Sequence, residues 1–473
     1  MKLTRIFCLV LSGIIIISLF FGPSSAAVSS NSVTAGCSSL KANMPLAGTN
    51  KLLESADSVI LYELNSGTLV YSWNADHRIN PSSTVKLLTA YVALQHGNLE
   101  DIVTVRRATL DTIPIGSVSA GLLRDEEISV LDLLYCVMVS SANDAAAVLA
   151  EHIAGTQADY VALMNETALA LGCTGSNFTN VTGLNDDNQY STARDLAIIT
   201  EAALQNELFS QMFCAETYTV AATNKSVERT VYTTNYMMSQ LKIKNYYDAR
   251  VTGGKTAAAT STSRSLICTA EVGNTRYLSI VMGADSIVSD DGLSVKYFGS
   301  FAETADLLDY GFENYGVRQI LDGGQVYGQY PVSGGANDVC AAPAGNVFTV
   351  LPKEYDIALL SFSPSVDAAA LRAPLRKGDI LGTLEVRYNG IVLTECELLA
   401  MYDVFLDGTD IKPAAPFVNE EQEKDYRIWI ILGIVVGVLI LLALLVLLSL
   451  RLVRNARIRD RHRRRKRNRR RSR

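Results

Sequence analysis

Residues 428–450, IWIILGIVVGVLILLALLVLLSL, are 23 consecutive residues without a charge, about 35 Å of helix at 1.5 Å per residue and enough to cross the hydrocarbon of a bilayer. No other stretch limits the chain so strongly, because it withdraws itself from any water-facing fold and divides the residues before it from those after it. Residues 451–473 hold thirteen Arg, Lys466 and Asp460, a charge of +13; the whole chain is −6, so residues 1–450 carry −19. The positive-inside rule then places the tail in the cytoplasm and the acidic bulk outside. Such an arginine run binds the phosphates of any nucleic acid. Directly after a span, contact with anionic lipid headgroups is the simpler use, and no nucleic acid is expected.

The other end is also an address. Residues 1–27 have Lys2 and Arg5, an uncharged run over 6–22 and small residues ending at Ala26 and Ala27, the layout of a cleavable secretory signal; a retained anchor helix is the alternative, although the run is short for a span. A Ser/Thr-rich leader, residues 28–50, follows. The eight cysteines form no CxxC or CxxH pair, and the four histidines are scattered. Single cysteines in apolar surroundings such as LLYCVMV read as core residues. No metal or organic cofactor is implied.

Between these ends the pattern changes twice. The run SVILYELNSGTLVYSW predicts a hairpin about Asn65-Ser66-Gly67. Helical patterns dominate from 127 to 205, among them STARDLAIITEAAL, where Thr192 and Asp195 fit a capping box with Asp in the Glu place. Strand-like runs return with ARVTGGKT, SLICTAEV and RYLSIVMGA, and YFGSFAETADLLDYGF predicts a closing helix. Strands on both sides of an inserted helical block suggest an α/β domain with an α subdomain over 51–315. Residues 316–410 alternate with period two and carry an Asn389-Gly390 turn, which predicts a small all-β domain. Residues 411–427 read as a polar linker to the span.

Within the first domain, PSSTVKLLTAYVALQHGN puts Ser83 and Lys86 one helical turn apart at the head of an apolar helix. Ser, Thr and Pro are common helix-start residues, so a solvated helix start accounts for the spacing alone. The apolar face of Val85, Leu88 and Val92 argues that the helix is buried, and a buried lysine needs a reason.

Two further pieces follow in order, SSAND at 140–144 and GGKT at 253–256. SSAND taken alone reads as an ordinary helix-end cap. Together with PSSTVKLLTA, the three resemble the active-site elements of the serine D-alanyl-D-alanine carboxypeptidases, the low-molecular-mass penicillin-binding proteins. NFTNVTGLNDDNQYSTARDLA and TTNYMM resemble that family's connecting segments, and 316–410 resembles, more loosely, its stalk domain. The resemblance implies a penicillin-binding, serine β-lactamase-like α/β fold, an antiparallel sheet with helices plus an inserted α subdomain. It would be followed by the β domain and one C-terminal transmembrane helix.

It also implies roles. Ser83 would attack a peptide carbonyl and form an acyl-enzyme. Lys86, neutral through burial near a second cation, would take the proton, and Lys255 would be that cation. Lys255 and Thr256 would receive the substrate's terminal carboxylate. Ser141 would relay a proton to the leaving amine, and Asn143 would hold a substrate amide and orient Lys86. The backbone N–H groups of Ser83 and Ala258 would form the oxyanion hole. The substrates would be peptidoglycan stem peptides ending in D-Ala-D-Ala, with β-lactams as inhibitors.

One departure stands out: the family's Lys-Thr-Gly or Lys-Ser-Gly becomes Lys255-Thr256-Ala257 here. A methyl on a strand beside a nucleophile is expected to crowd the site and slow acylation, so that Ala257→Gly would raise the rate. A β-lactamase, and a non-catalytic cell-wall binding or sensing protein, are the rival readings. The altered strand favours the second, while the β domain and the span weigh against the first.

Overall fold

The computed structural model describes residues 45–46, 50–240, 243–292 and 294–408. The signal, nearly all of the leader, the linker, the apolar span and the basic tail lie outside the described residues.

Strands β1 (Ser58–Glu63) and β2 (Thr68–Trp73) form the hairpin expected about Gly67, whose φ of +68° suits a residue without a Cβ. The chain then leaves the sheet. It runs through a 3₁₀ turn (Ser82–Thr84) into α1 (Val85–His96), a short pair of strands β3 (Ile102–Thr104) and β4 (Glu127–Ser129), and the short helix α2 (Arg107–Leu110). Helices α3 (Val130–Val139), α4 (Asn143–Ala154), α5 (Gln157–Leu171), α6 (Ala193–Leu204) and α7 (Glu207–Phe213) and a hairpin of β5 (Thr217–Val220) and β6 (Arg229–Tyr232) follow. The chain re-enters the sheet as β7 (Val251–Ala258), β8 (Ser263–Val272) and β9 (Thr275–Val288), and closes with β10 (Val295–Phe298) and α8 (Gly299–Asn314).

The sheet has the order β2-β1-β9-β8-β7, with β10 paired to β9, and every pairing is antiparallel. All six residues of β1 are buried because both faces are covered. Ile60 and Tyr62 pack with the inserted helices, whereas Val59 and Leu61 pack with Leu307 and Leu308 of α8, the period-two alternation feeding two cores. β7 is an edge strand, and the 3₁₀ turn and α7 pack against it.

Two local expectations change. Tyr297 and Phe298 end a strand instead of starting the closing helix, because Phe298 N–H is held by the Tyr246 hydroxyl and β10 pairs with β9. Thr192 caps α6 by accepting from Asp195 N–H, but the Asp195 carboxylate accepts from Gly175 N–H (2.8 Å) and the Ser176 hydroxyl (2.7 Å), so it ties down the preceding loop. Cys136, Cys214, Cys268, Cys340 and Cys396 are free thiols.

The described residues after α8 form only strands, connecting turns and one 3₁₀ turn. β11 (Tyr315–Leu321) pairs with β14 (Val347–Pro352), and a five-stranded sheet is built, in spatial order, from β12 (Gly328–Tyr330), β13 (Val339–Pro343), β17 (Ile391–Ala400), β16 (Ile380–Tyr388) and β15 (Leu360–Val366). Asn389 (φ +47°) and Gly390 (φ +80°) make the tight turn between β16 (Ile380–Tyr388) and β17 (Ile391–Ala400), as the Asn-Gly signal predicts. The Thr68 and Thr349 hydroxyls bond at 2.9 Å, and Val350 joins the core beneath α8, so β11–β14 is docked on the α/β part.

Candidate active site

Pro81 (φ −71°) and Ser82 (φ +46°) turn the chain sharply into α1. A positive φ strains a residue with a Cβ and persists only where its surroundings hold it. Asn80 Oδ1 accepts from Ser82 N–H (2.8 Å), and the Ser82 hydroxyl donates to the Ala258 carbonyl on β7 (2.9 Å). The bonds leave the next residue, Ser83, half-buried at the head of the helix, with the Ala258 peptide beside the same turn.

Lys86 is fully buried, and its amine donates to Ser83 Oγ at 3.4 Å and to the Thr182 carbonyl at 2.5 Å. The resemblance implies that Asn143 orients Lys86; beside Ser83 Oγ, the group that accepts from this amine is the Thr182 backbone carbonyl. Asn143 is the first residue of α4, 6% exposed, and its N–H donates to Val118 O.

In SSAND the Ser140 hydroxyl donates to Cys136 O (2.9 Å) at the end of α3, but no side chain caps the start of α4. The N-cap of α4 is Ala142 with no side-chain bond, and Ser141, φ +64°, aims a buried hydroxyl at no protein partner. Asp144 accepts instead from the Ser119 hydroxyl (2.6 Å) and from Ala120 and Leu122 N–H (2.8 and 3.0 Å), fastening the segment before β4 onto α4.

On β7 the burial alternates. Lys255 and Ala257 are buried, Thr256 is half-buried and Ala258 is exposed. Lys255 Nζ has no hydrogen-bond partner, and Thr256 Oγ1 shares a bond of 2.5 Å with Thr234 Oγ1. A buried polar atom left unpaired costs about 1–3 kcal/mol. Ser141 Oγ and Lys255 Nζ are two such atoms, and orphans of this kind are common where a ligand supplies the missing partner.

Burial pushes the Lys86 ammonium well below its usual range, nearby Lys255 pushes the same way, and Asp144 opposes both. Burial brings Lys255 down to about 7. The arrangement is therefore a serine hydroxyl within reach of an amine whose charged form is disfavoured by burial, with a second amine close enough to act on it. Among the described residues no group of three or more His, Cys, Asp or Glu side chains is placed to hold a metal ion.

Sequence reasoning missed Thr182, because a backbone carbonyl leaves no mark in residue type, and Thr234, whose pairing across to β7 is visible only in the fold. Thr234 lies in TTNYMM and Thr182 in NVTG, segments that sequence analysis treated as connections.

Residues 47–286 match the family described as D-alanyl-D-alanine carboxypeptidase. D-alanyl-D-alanine carboxypeptidase DacA of Haemophilus influenzae is 29% identical over 74% of this chain and 85% of its own. DacD of Escherichia coli, also named a D-alanyl-D-alanine carboxypeptidase, is 30% identical over 70% of this chain and 82% of its own. The crystal structure of penicillin binding protein 5 from Haemophilus influenzae superposes with a TM-score of 0.60 at 28% identity, over 76% of this chain and all of that one. With the first and third motifs joined by the Ser82–Ala258 bond and this likeness running through both the α/β part and the strands beyond it, the chain belongs to the D-alanyl-D-alanine carboxypeptidase family.

Proposed function

We propose that the chain is a membrane-held serine carboxypeptidase that removes the terminal D-Ala from peptidoglycan stem peptides through an acyl-enzyme on Ser83, and that β-lactams acylate the same hydroxyl. The observation that carries this reading is the 3.4 Å approach of Ser83 Oγ to the amine of Lys86, a fully buried lysine whose ammonium form is disfavoured.

In the first step Ser83 Oγ attacks the carbonyl carbon of the last peptide bond, and its proton passes to the neutral Lys86 amine. The carbonyl oxygen becomes an oxyanion held by the N–H groups of Ser83 and Ala258, a reading supported by the bond from the Ser82 hydroxyl to the Ala258 carbonyl that ties the turn to β7. Collapse breaks the C–N bond. Lys86 returns the proton by way of the Ser141 hydroxyl to the leaving nitrogen, and D-Ala departs with its amine neutral, leaving a serine ester. Water then attacks the ester with its proton taken by the same lysine, and Ser83 is regenerated as the shortened peptide leaves. Lys255, as the ammonium, and the Thr256 hydroxyl bind the terminal carboxylate, and Asn143 holds a backbone amide of the stem peptide.

The α/β part and the strands after it work outside the cytoplasmic membrane, tethered by residues 428–450, with the arginine tail on the cytoplasmic side near anionic lipid. Purified protein treated with fluorescent penicillin should label covalently and should release D-alanine from a peptide ending in D-Ala-D-Ala. Ser83→Ala should lose both while keeping its melting transition, since removing one half-buried hydroxyl opens no large cavity. A label retained by a folded Ser83→Ala protein sinks the reading.

A further inference from the structure

Lys86 is the group on which the proposed chemistry turns, and one of its two hydrogen bonds goes to a loop with no assigned role. Residues 180–184 (NVTGL) have no regular secondary structure and no charge, yet they touch both halves of the Ser83–Lys86 pair. The Thr182 carbonyl accepts from Lys86 Nζ at 2.5 Å. Gly183, at φ +78°, lies so close to the nucleophile's turn that a Cβ there would stand 1.9 Å from Ser82 O and 2.9 Å from Ser83 N.

One side chain organises this loop. Asn180 Oδ1 accepts from Thr182 N–H (3.2 Å), the Thr182 hydroxyl (3.0 Å) and Gly183 N–H (2.7 Å). Its Nδ2 donates to Leu184 O (2.9 Å). Gln189 braces the same loop, accepting from Thr179 and Asn180 N–H and donating to Leu184 O. Apolar packing alone does not set the direction of a single carbonyl; a side-chain amide that bonds the flanking N–H groups does.

The direction matters because of what a neutral amine is. Lys86 as a base has two N–H bonds and one lone pair, at the end of a stem that rotates freely. If one N–H is taken by Thr182 O, the lone pair is left to face Ser83 Oγ; without that acceptor the amine samples orientations in which proton transfer fails. We propose that Asn180 is a positioning residue for acylation, holding loop 180–184 so that the Thr182 carbonyl orients the Lys86 amine toward Ser83. The inference rests on the reading of Ser83 as nucleophile and Lys86 as base.

The charged groups acting on Lys86 are Lys255 from β7 and Asp144 from α4. Asn180→Ala removes the whole brace. Asn180→Asp keeps the Oδ1 acceptor, gives up the Nδ2 bond to Leu184 O while Gln189 still donates there, and adds a negative charge on the loop that touches Lys86, which favours its ammonium form and moves the acidic limb of the rate profile to higher pH.

The test is the acylation of full-length protein in detergent by a fluorescent penicillin, followed over time and against concentration and pH, with melting curves for each variant. Wild-type and Ser83→Ala proteins run beside the Asn180 variants. In Asn180→Ala the saturating acylation rate should fall about tenfold or more, equivalent to about 1.4 kcal/mol or more, with the concentration for half-saturation little changed. In Asn180→Asp most of that rate should return at alkaline pH, with the acidic limb displaced upward. A wild-type rate in folded Asn180→Ala overturns the inference, as does an Asn180→Asp profile with its acidic limb unmoved; if the alanine variant fails to fold, the aspartate profile decides alone. Label on Ser83→Ala would instead remove the reading beneath it.

Discussion

Lys255 is buried without a hydrogen-bond partner and brought down to about 7, which gives the proposed site a definite pH dependence. Lys86 works as a base when neutral, and its lowered value moves the rising limb of kcat/KM to lower pH than an ordinary lysine would give. Lys255 binds a carboxylate when charged, which holds below about pH 7 in the free protein. The release of D-alanine, followed as kcat/KM, should therefore fall as pH rises through that region. Lys255→Arg should carry the falling limb to higher pH, because a guanidinium keeps its charge. A descending limb unchanged by that substitution would assign it to another group. At this scale the sequence was informative where chemistry resides in residue type and helical spacing, as for Ser83 and Lys86. It was silent where chemistry resides in the main chain: the Thr182 carbonyl and the positive φ of Ser82 and Ser141 belong to conformations that several residue types can adopt.

At the scale of elements, β7 shows why a motif must be read with its pleat. Alternation places Ala257 on the buried face with Lys255, opposite Ser265 of β8 and 6% exposed, while Thr256 and Ala258 take the more open face. The methyl expected from the sequence to crowd a substrate is therefore already covered by protein. Ala257→Gly should leave the acylation rate within about twofold, equivalent to about 0.4 kcal/mol of barrier. It should lower stability instead, by about 0.8 kcal/mol for the lost buried methyl and about 0.5–1 kcal/mol for a glycine in a strand interior. Paired labelling time courses and melting curves test this, and a clear rise in rate would restore the steric account. Strands and helices were legible because each has a strong period and clear turn residues, the Asn-Gly turn above all. Element edges were less so: the closing helix begins at Gly299 because the tertiary bond from Phe298 N–H to Tyr246 extends the strand before it.

The α/β part carries the candidate site, and the β strands after α8 are docked on it through Thr68–Thr349 and Val350, so the described chain presents a head with a β body. Its tether is proposed from sequence alone, on the charge split of −19 before residue 451 and +13 after it, around one uncharged run of 23 residues. That split makes orientation a sharp expectation, because moving a cluster of arginines across a bilayer is far more costly than leaving it on the side of synthesis. Protease added to intact cells stripped of their wall should digest the portion before residue 428 and spare an epitope placed after Arg473. The spared fragment should remain in the membrane after an alkaline wash, and it should become digestible once detergent opens the cell. A head protected in intact cells would reverse the orientation and remove the site from any stem peptide outside the membrane, whereas a tail released by the wash would leave the orientation standing and remove the span.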